Sequence, residues 1–229
     1  MKSDRLLLRG AIFDIDGTVI DSMGMWNECG ARYLTSLGIP VEKDLARKLN
    51  LLPIEESGVF IKEHYSLPDS PAEITRGINR LAENFYQTEA KLKPFLLPFL
   101  TALSEAKIPA VAATASDTGV IERALTHLGV RPFFSAIYSC RDLGYPKTDP
   151  ACYVECRARL GVGEEGVWAF EDMLHAAKSA KKAGLYVGGM FDLPSADKEE
   201  ELRQTADFFF KTEADFAEFC RRASLPFRV

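Results

Sequence analysis

The sequence has little of what disulfide frameworks, zinc sites and histidine-based catalysis require. Its five cysteines are an odd number and are scattered, which does not suggest structural disulfides and favours a reducing compartment. Cys152 and Cys156 lie one helical turn apart, but no histidine or further cysteine stands at zinc-finger spacing, so we expect them to pack in the core. The three histidines, His64, His127 and His175, match no catalytic motif.

Excess positive charge and long apolar runs are also lacking. The net charge is -5 and no long basic stripe is present, which argues against a nucleic-acid surface. The most apolar stretch, residues 94–103, is too short to cross a bilayer, and residues 1–10 do not form a secretory signal. We therefore expect a soluble cytoplasmic protein that binds neither nucleic acid nor a membrane. We also expect a monomer or weak dimer.

Two carboxylates follow a short apolar run near the start of the chain. Residues 10–13 have the composition of a strand buried on both faces, which delivers Asp14 to the carboxyl end of that strand. Asp16 follows two residues later, so the strand period points it to the same side before Gly17 turns the chain. Such close carboxylates repel each other unless a cation such as Mg²⁺ lies beside them or one holds a proton. A plain acidic turn is the alternative.

Residues 21–91 show helical patterns without a strand signal. Four helices are predicted, and the fourth has the clearest start, because Ser70 and Glu73 form a capping box and Pro71 takes the first helical position. We expect residues 21–91 to form an all-helical cap domain, inserted into a core domain of residues 1–20 and 92–229.

From residue 94 onward, strand and helix signals alternate. Strands are expected at residues 108–114, 136–140, 167–171, 185–190 and 207–211. This pattern predicts an α/β fold with a doubly wound, Rossmann-like parallel sheet. Such sheets bind ligands beyond the carboxyl ends of their strands, near the point where the strand order reverses, and the first strand should flank that point.

Polar side chains follow three of these strands. Thr114 and Ala115 precede a helix whose free backbone N–H groups suit a phosphate, and the Lys147 ammonium can balance negative charge in the same cavity. Glu171 and Asp172 end the fourth strand and can complete the oxygen ligands of a cation. Taken alone, each feature also fits a helix cap, a surface lysine or an acidic helix start.

Together these strand ends resemble the motifs of the haloacid dehalogenase superfamily, over nearly the whole chain. Residues 13–18, FDIDGT, are similar to the first motif, and Thr114 stands at the position of the second. Lys147 in KTDPACY looks like the lysine of the third motif, and residues 170–172, FED, resemble the fourth. The helical insert directly after the first motif resembles a cap of the subfamily IA type.

The resemblance implies a Mg²⁺-dependent phosphatase that hydrolyses a small phosphate ester through an aspartyl phosphate. Asp14 would be the nucleophile and Asp16 the proton donor and acceptor, which dehalogenases and phosphonoacetaldehyde hydrolases lack at that position. The remaining roles implied are metal binding by Asp14, the Asp16 carbonyl, Asp172 and Glu171, and phosphate binding by Thr114, Ala115 and Lys147.

Two alternatives remain open. A phosphosugar mutase of the beta-phosphoglucomutase type shares all four motifs, but its cap normally offers a histidine twelve residues beyond the nucleophile, where this chain has Trp26. A non-catalytic phosphate-binding module would be expected to have lost some of the acids, which are all present. Because a cap supplies the contacts beyond phosphate, we expect Met23, Trp26 and residues near Leu52 to line the substrate pocket.

Overall fold

The computed structural model describes residues 5–49 and 54–228, which form two compact units. The larger unit comprises residues 5–21 and 91–228 and contains the β-sheet. The smaller unit, Ser22–Ala90, is built from helices. Within the described ranges, no helix combines the length and the apolar character that a bilayer crossing demands.

The sheet of the larger unit has six strands, all parallel to their neighbours. They are β1 (Gly10–Phe13), β2 (Ala110–Thr114), β3 (Ala136–Ser139), β4 (Val167–Glu171), β5 (Tyr186–Met190) and β6 (Phe208–Phe210). The spatial order is β3-β2-β1-β4-β5-β6, so β1 flanks the point where the order reverses. This confirms the predicted α/β fold class with a doubly wound, Rossmann-like sheet.

Helices cover the sheet and make up the smaller unit. The smaller unit contains α1 (Met23–Ser36), α2 (Leu45–Leu49), α3 (Ile54–Tyr65) and α4 (Pro71–Thr88). The larger unit contains α5 (Leu96–Glu105), α6 (Thr118–His127), α7 (Cys140–Leu143), α8 (Pro150–Arg159), α9 (Leu174–Lys182), α10 (Glu199–Thr205) and α11 (Glu213–Ala223), with 3-10 turns at Arg131–Phe133 and Leu193–Lys198.

The start of α4 follows the sequence prediction in detail. Ser70 Oγ accepts a hydrogen bond from the Glu73 backbone N–H at 3.3 Å, and a Glu73 carboxylate oxygen accepts one from the Ser70 N–H at 2.8 Å. This reciprocal capping satisfies two N–H groups that the first helical turn leaves without partners. Ile74 and Ile78 then fall on the buried face of the helix, as their spacing predicts.

The two faces of the sheet are packed with different kinds of side chain. On one face, Phe13 and Phe170 stack at 4.5 Å between ring centroids, and Phe99 packs edge-on against both. The opposite face is lined by small residues, including Ala113, Ala169, Cys152, Cys156, Ala176 and Ala177. Both cysteines are fully buried there, which fits their expected role in packing.

Gly188 in β5 leaves the space that the aromatic cluster occupies. A Cβ at this position would lie 2.6 Å from a Phe170 ring carbon and 2.9 Å from one of Phe210. We therefore expect Gly188→Ala to lower the free energy of unfolding by about 1–3 kcal/mol through overpacking, measured by urea denaturation. The control is Gly24→Ala in α1, where a Cβ meets no atom within 4 Å and helix propensity favours alanine. Equal effects of the two substitutions would contradict this packing argument.

Candidate active site

The loop after β1 holds Asp14 at the carboxyl edge of the sheet. The Asp14 backbone N–H donates to the Phe170 carbonyl at 3.0 Å, which continues the β1–β4 ladder by one residue. Gly17 then adopts a φ of 85°, a left-handed conformation that glycine tolerates without strain. The turn closes through hydrogen bonds from Val19 and Ile20 to the Ile15 carbonyl at 2.9 and 2.8 Å.

Three buried acids converge at this edge. Asp14, Glu171 and Asp172 each offer one carboxylate oxygen, and these oxygens all lie within 4.8 Å of one another. Burial raises the pKa of all three carboxyl groups, that of Glu171 to about 7, while the Lys147 charge counteracts the rise at Asp14 and Glu171. In the described part of the chain, Glu171 Oε2 and Asp172 Oδ2 have no hydrogen-bond partner.

Lys147 neutralises part of this charge. Its ammonium group donates to Asp14 Oδ1 and, at 2.8 Å, to Glu171 Oε1, and the lysine side chain is 10% exposed. Burial acts to lower the pKa of Lys147, but the two adjacent carboxylates outweigh it and raise the pKa above its ordinary value. The lysine therefore stays protonated and holds two of the three acids.

Two hydroxyl groups support the acids from the protein side. Tyr153 in α8 donates to Glu171 Oε1 at 2.6 Å, and Thr18 donates to Asp172 Oδ1 at 3.4 Å. Tyr153 is the last residue of the motif KTDPACY, so the sequence did mark this position. Its burial and its hydrogen bond to Glu171 explain why a tyrosine stands there. Thr18 is the last residue of the first motif, FDIDGT, but the motif alone did not predict its hydrogen bond to Asp172.

Asp16 lies beside the start of α6. Ser116 Oγ donates to Asp16 Oδ2 at 3.0 Å, and Thr114 Oγ1 accepts from the Ser116 backbone N–H at 3.0 Å. Asp117 caps this helix by accepting from two N–H groups of its first turn, and this frees the Ser116 hydroxyl for Asp16. Ala115, which lies between Thr114 and Ser116, is exposed.

The acids fit a hard cation. Two buried carboxylate oxygens without partners would be costly in the folded protein unless a cation or water satisfies them. Oxygen donors alone, with no sulfur or imidazole among them, are the set that Mg²⁺ prefers. The Asp16 side chain is not part of this group and bonds Ser116 instead, which leaves its backbone carbonyl as the predicted ligand.

Two of the three substrate residues predicted in the insert, Met23 and Trp26, lie in α1. Met23 and Trp26 are half-buried, and Trp26 Nε1 donates to the Tyr86 hydroxyl at 3.1 Å within the smaller unit. Leu52 lies outside the described residues. The role of these three positions in substrate binding stays a prediction.

Comparison with known proteins identifies the family. A profile of haloacid dehalogenase-like hydrolases matches residues 8–184. The chain belongs to this hydrolase family. The match spans all four strand-end motifs and confirms the resemblance drawn from them, and with it the prediction of a hydrolase.

Curated relatives and solved structures agree with this assignment. Hexitol phosphatase B of Escherichia coli is 28% identical over 80% of this chain and 83% of its own length. Beta-phosphoglucomutase of Bacillus subtilis is 24% identical over 96% of this chain and 100% of its own. A solved structure described as a putative beta-phosphoglucomutase from Thermotoga maritima shares the fold, with a TM-score of 0.80, 24% identity and coverage of 92% of this chain and 97% of that one.

The raised pKa of Glu171 predicts how the stability of the metal-free hydrolase depends on pH. Its pKa rises from 4.5 to about 7 on folding, so the folded protein keeps a proton that the unfolded chain has already lost. The stabilisation is complete below about pH 4.5 and is lost as the pH rises through about 7. The glutamine of Glu171→Gln cannot titrate. In the presence of a metal chelator, the Tm of this variant should therefore fall less than that of the wild type between about pH 5 and about pH 8.

Differential scanning calorimetry over this pH range measures the effect. Glu218→Gln, at an exposed glutamate of α11, serves as the control and should fall as steeply as the wild type. If the Tm of Glu171→Gln followed the wild-type curve, the raised pKa of Glu171 would not be a property of the folded protein.

Proposed function

We propose that this hydrolase is a Mg²⁺-dependent phosphatase that cleaves a small phosphorylated metabolite through an aspartyl phosphate on Asp14. The observation that carries the proposal is the Lys147 ammonium bound to Asp14 and Glu171 beside carboxylate oxygens that have no partner. A carboxylate nucleophile, a fixed cation and an oxygen-only donor set are what transfer of an anionic phosphoryl group requires. The name of the hexitol phosphatase relative supports a phosphorylated carbohydrate as the substrate class.

In the first step, an Asp14 carboxylate oxygen forms a bond to phosphorus while the bond from phosphorus to the ester oxygen breaks. Asp16 donates a proton to the departing oxygen, which leaves as an alcohol. Lys147 offsets the repulsion between the Asp14 carboxylate and the phosphate, while Thr114 and the Ala115 backbone bind the phosphoryl oxygens.

In the second step, water attacks phosphorus and the bond to Asp14 breaks. Asp16, now ionised, takes a proton from the water, so inorganic phosphate leaves and both aspartates return to their starting states. The Ser116 hydroxyl, 3.0 Å from Asp16 Oδ2, orients the carboxylate for both transfers.

The metal site of this proposal consists of Asp14, Asp172 and the Asp16 carbonyl, with Glu171 in support. Mg²⁺ held by these residues would supply positive charge that offsets the negative charge of the phosphoryl oxygens. Uncatalysed hydrolysis of phosphate monoesters is so slow that the barrier must fall by roughly 20 kcal/mol or more, which no single residue provides. Thr18 and Tyr153 hold Asp172 and Glu171 in place through their hydroxyl groups.

A phosphosugar mutase is the second candidate, favoured by the match to beta-phosphoglucomutase over nearly the whole chain. Trp26 weighs against it. The indole at this position cannot exchange protons with a sugar hydroxyl, and its N–H group donates to Tyr86. A mutase returns the phosphoryl group to the sugar, whereas a phosphatase releases it, so free phosphate distinguishes the two.

The proposal is tested with a panel of phosphorylated sugars, sugar alcohols and other metabolites in Mg²⁺, with glucose 1-phosphate also assayed for isomerisation. We expect release of inorganic phosphate by the wild type and none above background by Asp14→Asn, because the amide is not a comparable nucleophile. Circular dichroism should show that the variant is folded. Isomerisation without phosphate release would favour the mutase, and no turnover on any substrate would favour a non-catalytic module.

The role of Asp16 gives a separate expectation. Asp16→Ala should lower kcat by about 10²- to 10⁴-fold, because both the leaving oxygen and the attacking water lose their proton partner. The loss in kcat/KM, which reports the first step, should be smaller for substrates with more acidic leaving alcohols, which need less protonation. Steady-state kinetics on a natural and an aryl phosphate measure this difference, and a normal rate on both would exclude the proposed role.

A further inference from the structure

A second buried ion pair lies in the larger unit, and neither partner belongs to the four motifs. Asp192 Oδ1 accepts a hydrogen bond from Lys93 Nζ at 2.7 Å. The Asp192 side chain is 0% exposed and that of Lys93 is 11% exposed. Ion pairs on the surface contribute little, but a pair this deeply buried constrains both of its chain segments.

The sheet delivers Asp192 to the same edge as the three acids. Glu171 lies level with Gly189 in the β4–β5 register, so the residues after each strand leave the sheet side by side. The Phe191 backbone N–H donates to the Phe210 carbonyl at 2.8 Å, which extends the β5–β6 pairing to the residue before Asp192. Asp192 thus emerges two residues beyond β5, next to the segment that carries Asp172.

Lys93 is fixed against the loop that follows β1. Its backbone N–H donates to the Val19 carbonyl at 3.0 Å, next to an antiparallel bridge between Ile20 and Leu92. Its ammonium also lies 3.9 Å from Asp21. The Lys93–Asp192 pair therefore connects the Asp14 loop to the end of β5.

One carboxylate oxygen of Asp192 has no partner. Four buried side-chain polar atoms lack a hydrogen bond within residues 5–49 and 54–228, and three of them are carboxylate oxygens at this edge: Glu171 Oε2, Asp172 Oδ2 and Asp192 Oδ2. Burial raises the pKa of Asp172, and the charges of Asp14, Glu171 and Asp192 add to the rise. A buried acceptor in this position needs a cation or an ordered water to satisfy it.

We propose that Asp192 is a positioning residue for the cation of the proposed phosphatase, with Lys93 fixing one of its oxygens and the other accepting from water bound to the metal. The inference rests on the proposed function. Mg²⁺ keeps several of its waters in protein sites, and carboxylates beyond the direct ligands orient such waters. A purely structural ion pair would connect the same segments without affecting the affinity for metal.

Isothermal titration of the full chain with Mg²⁺ alone separates these roles. We expect Asp192→Asn to weaken Mg²⁺ binding by about tenfold, the lower end of the range for residues beyond the direct ligands. The control is Asp207→Asn, which breaks the 2.7 Å pair with Lys181, a more exposed pair before the amino end of β6 and so at the end of the strands opposite the acids. Its affinity for Mg²⁺ should equal that of the wild type.

A second variant keeps the test decisive if Asp192→Asn does not fold. Lys93→Met combined with Asp192→Leu replaces the whole pair by apolar side chains, which buried ion pairs often tolerate, and it should show the same weakened binding. Wild-type affinity in either folded variant would overturn the positioning role and leave the proposed phosphatase intact. A wild type that binds no Mg²⁺ would instead overturn the metal dependence, and this inference with it.

Discussion

The repulsion between acids on adjacent strands is the constraint on which the site depends. Phe13 and Phe170 are directly paired in the β1–β4 register, so Asp14 and Glu171, the next residue of each strand, emerge beside each other. Like charges at such a position destabilise a sheet, and burial increases the cost. The Lys147 ammonium, bound to both, offsets part of this cost. The rest remains as raised pKa values and unsatisfied oxygens, which a bound cation relieves.

A rigid aromatic core keeps these charges together. The two residues that precede the acids, Phe13 and Phe170, stack at 4.5 Å between ring centroids on one face of the sheet. Phe99 and Phe219 enclose Phe170 edge-on, so neither strand can shift without disturbing several ring contacts. This packing fixes the ends of β1 and β4, and so the carboxyl edge of the sheet can hold a group of acids that is unfavourable by itself.

The sequence predicted the strands better than the contacts that the candidate site residues make. The apolar run before Asp14 and the run before Glu171 identified β1 and β4, because buried parallel strands have few polar alternatives. β2 begins at Ala110 rather than at the predicted residue 108. Its pairing with β1 starts directly after Pro109, because proline has no N–H to donate to the sheet. The distances among acids far apart in sequence depend on register, which periodicity does not specify.

Asp192, which we propose positions the cation, shows why a residue of this kind escapes a motif-based search. In the sequence it stands before Leu193 and Pro194, where an aspartate reads as an ordinary turn residue. Its burial and its pairing with Lys93, 99 residues earlier, exist only once the sheet has formed. A motif records residues that act at fixed spacing along the chain, whereas the charge balance of a buried site includes every acid that the sheet brings to the same edge. The four motifs therefore identify the family of this hydrolase, and the proposal for Asp192 extends the candidate site to charges at that edge that the motifs do not include.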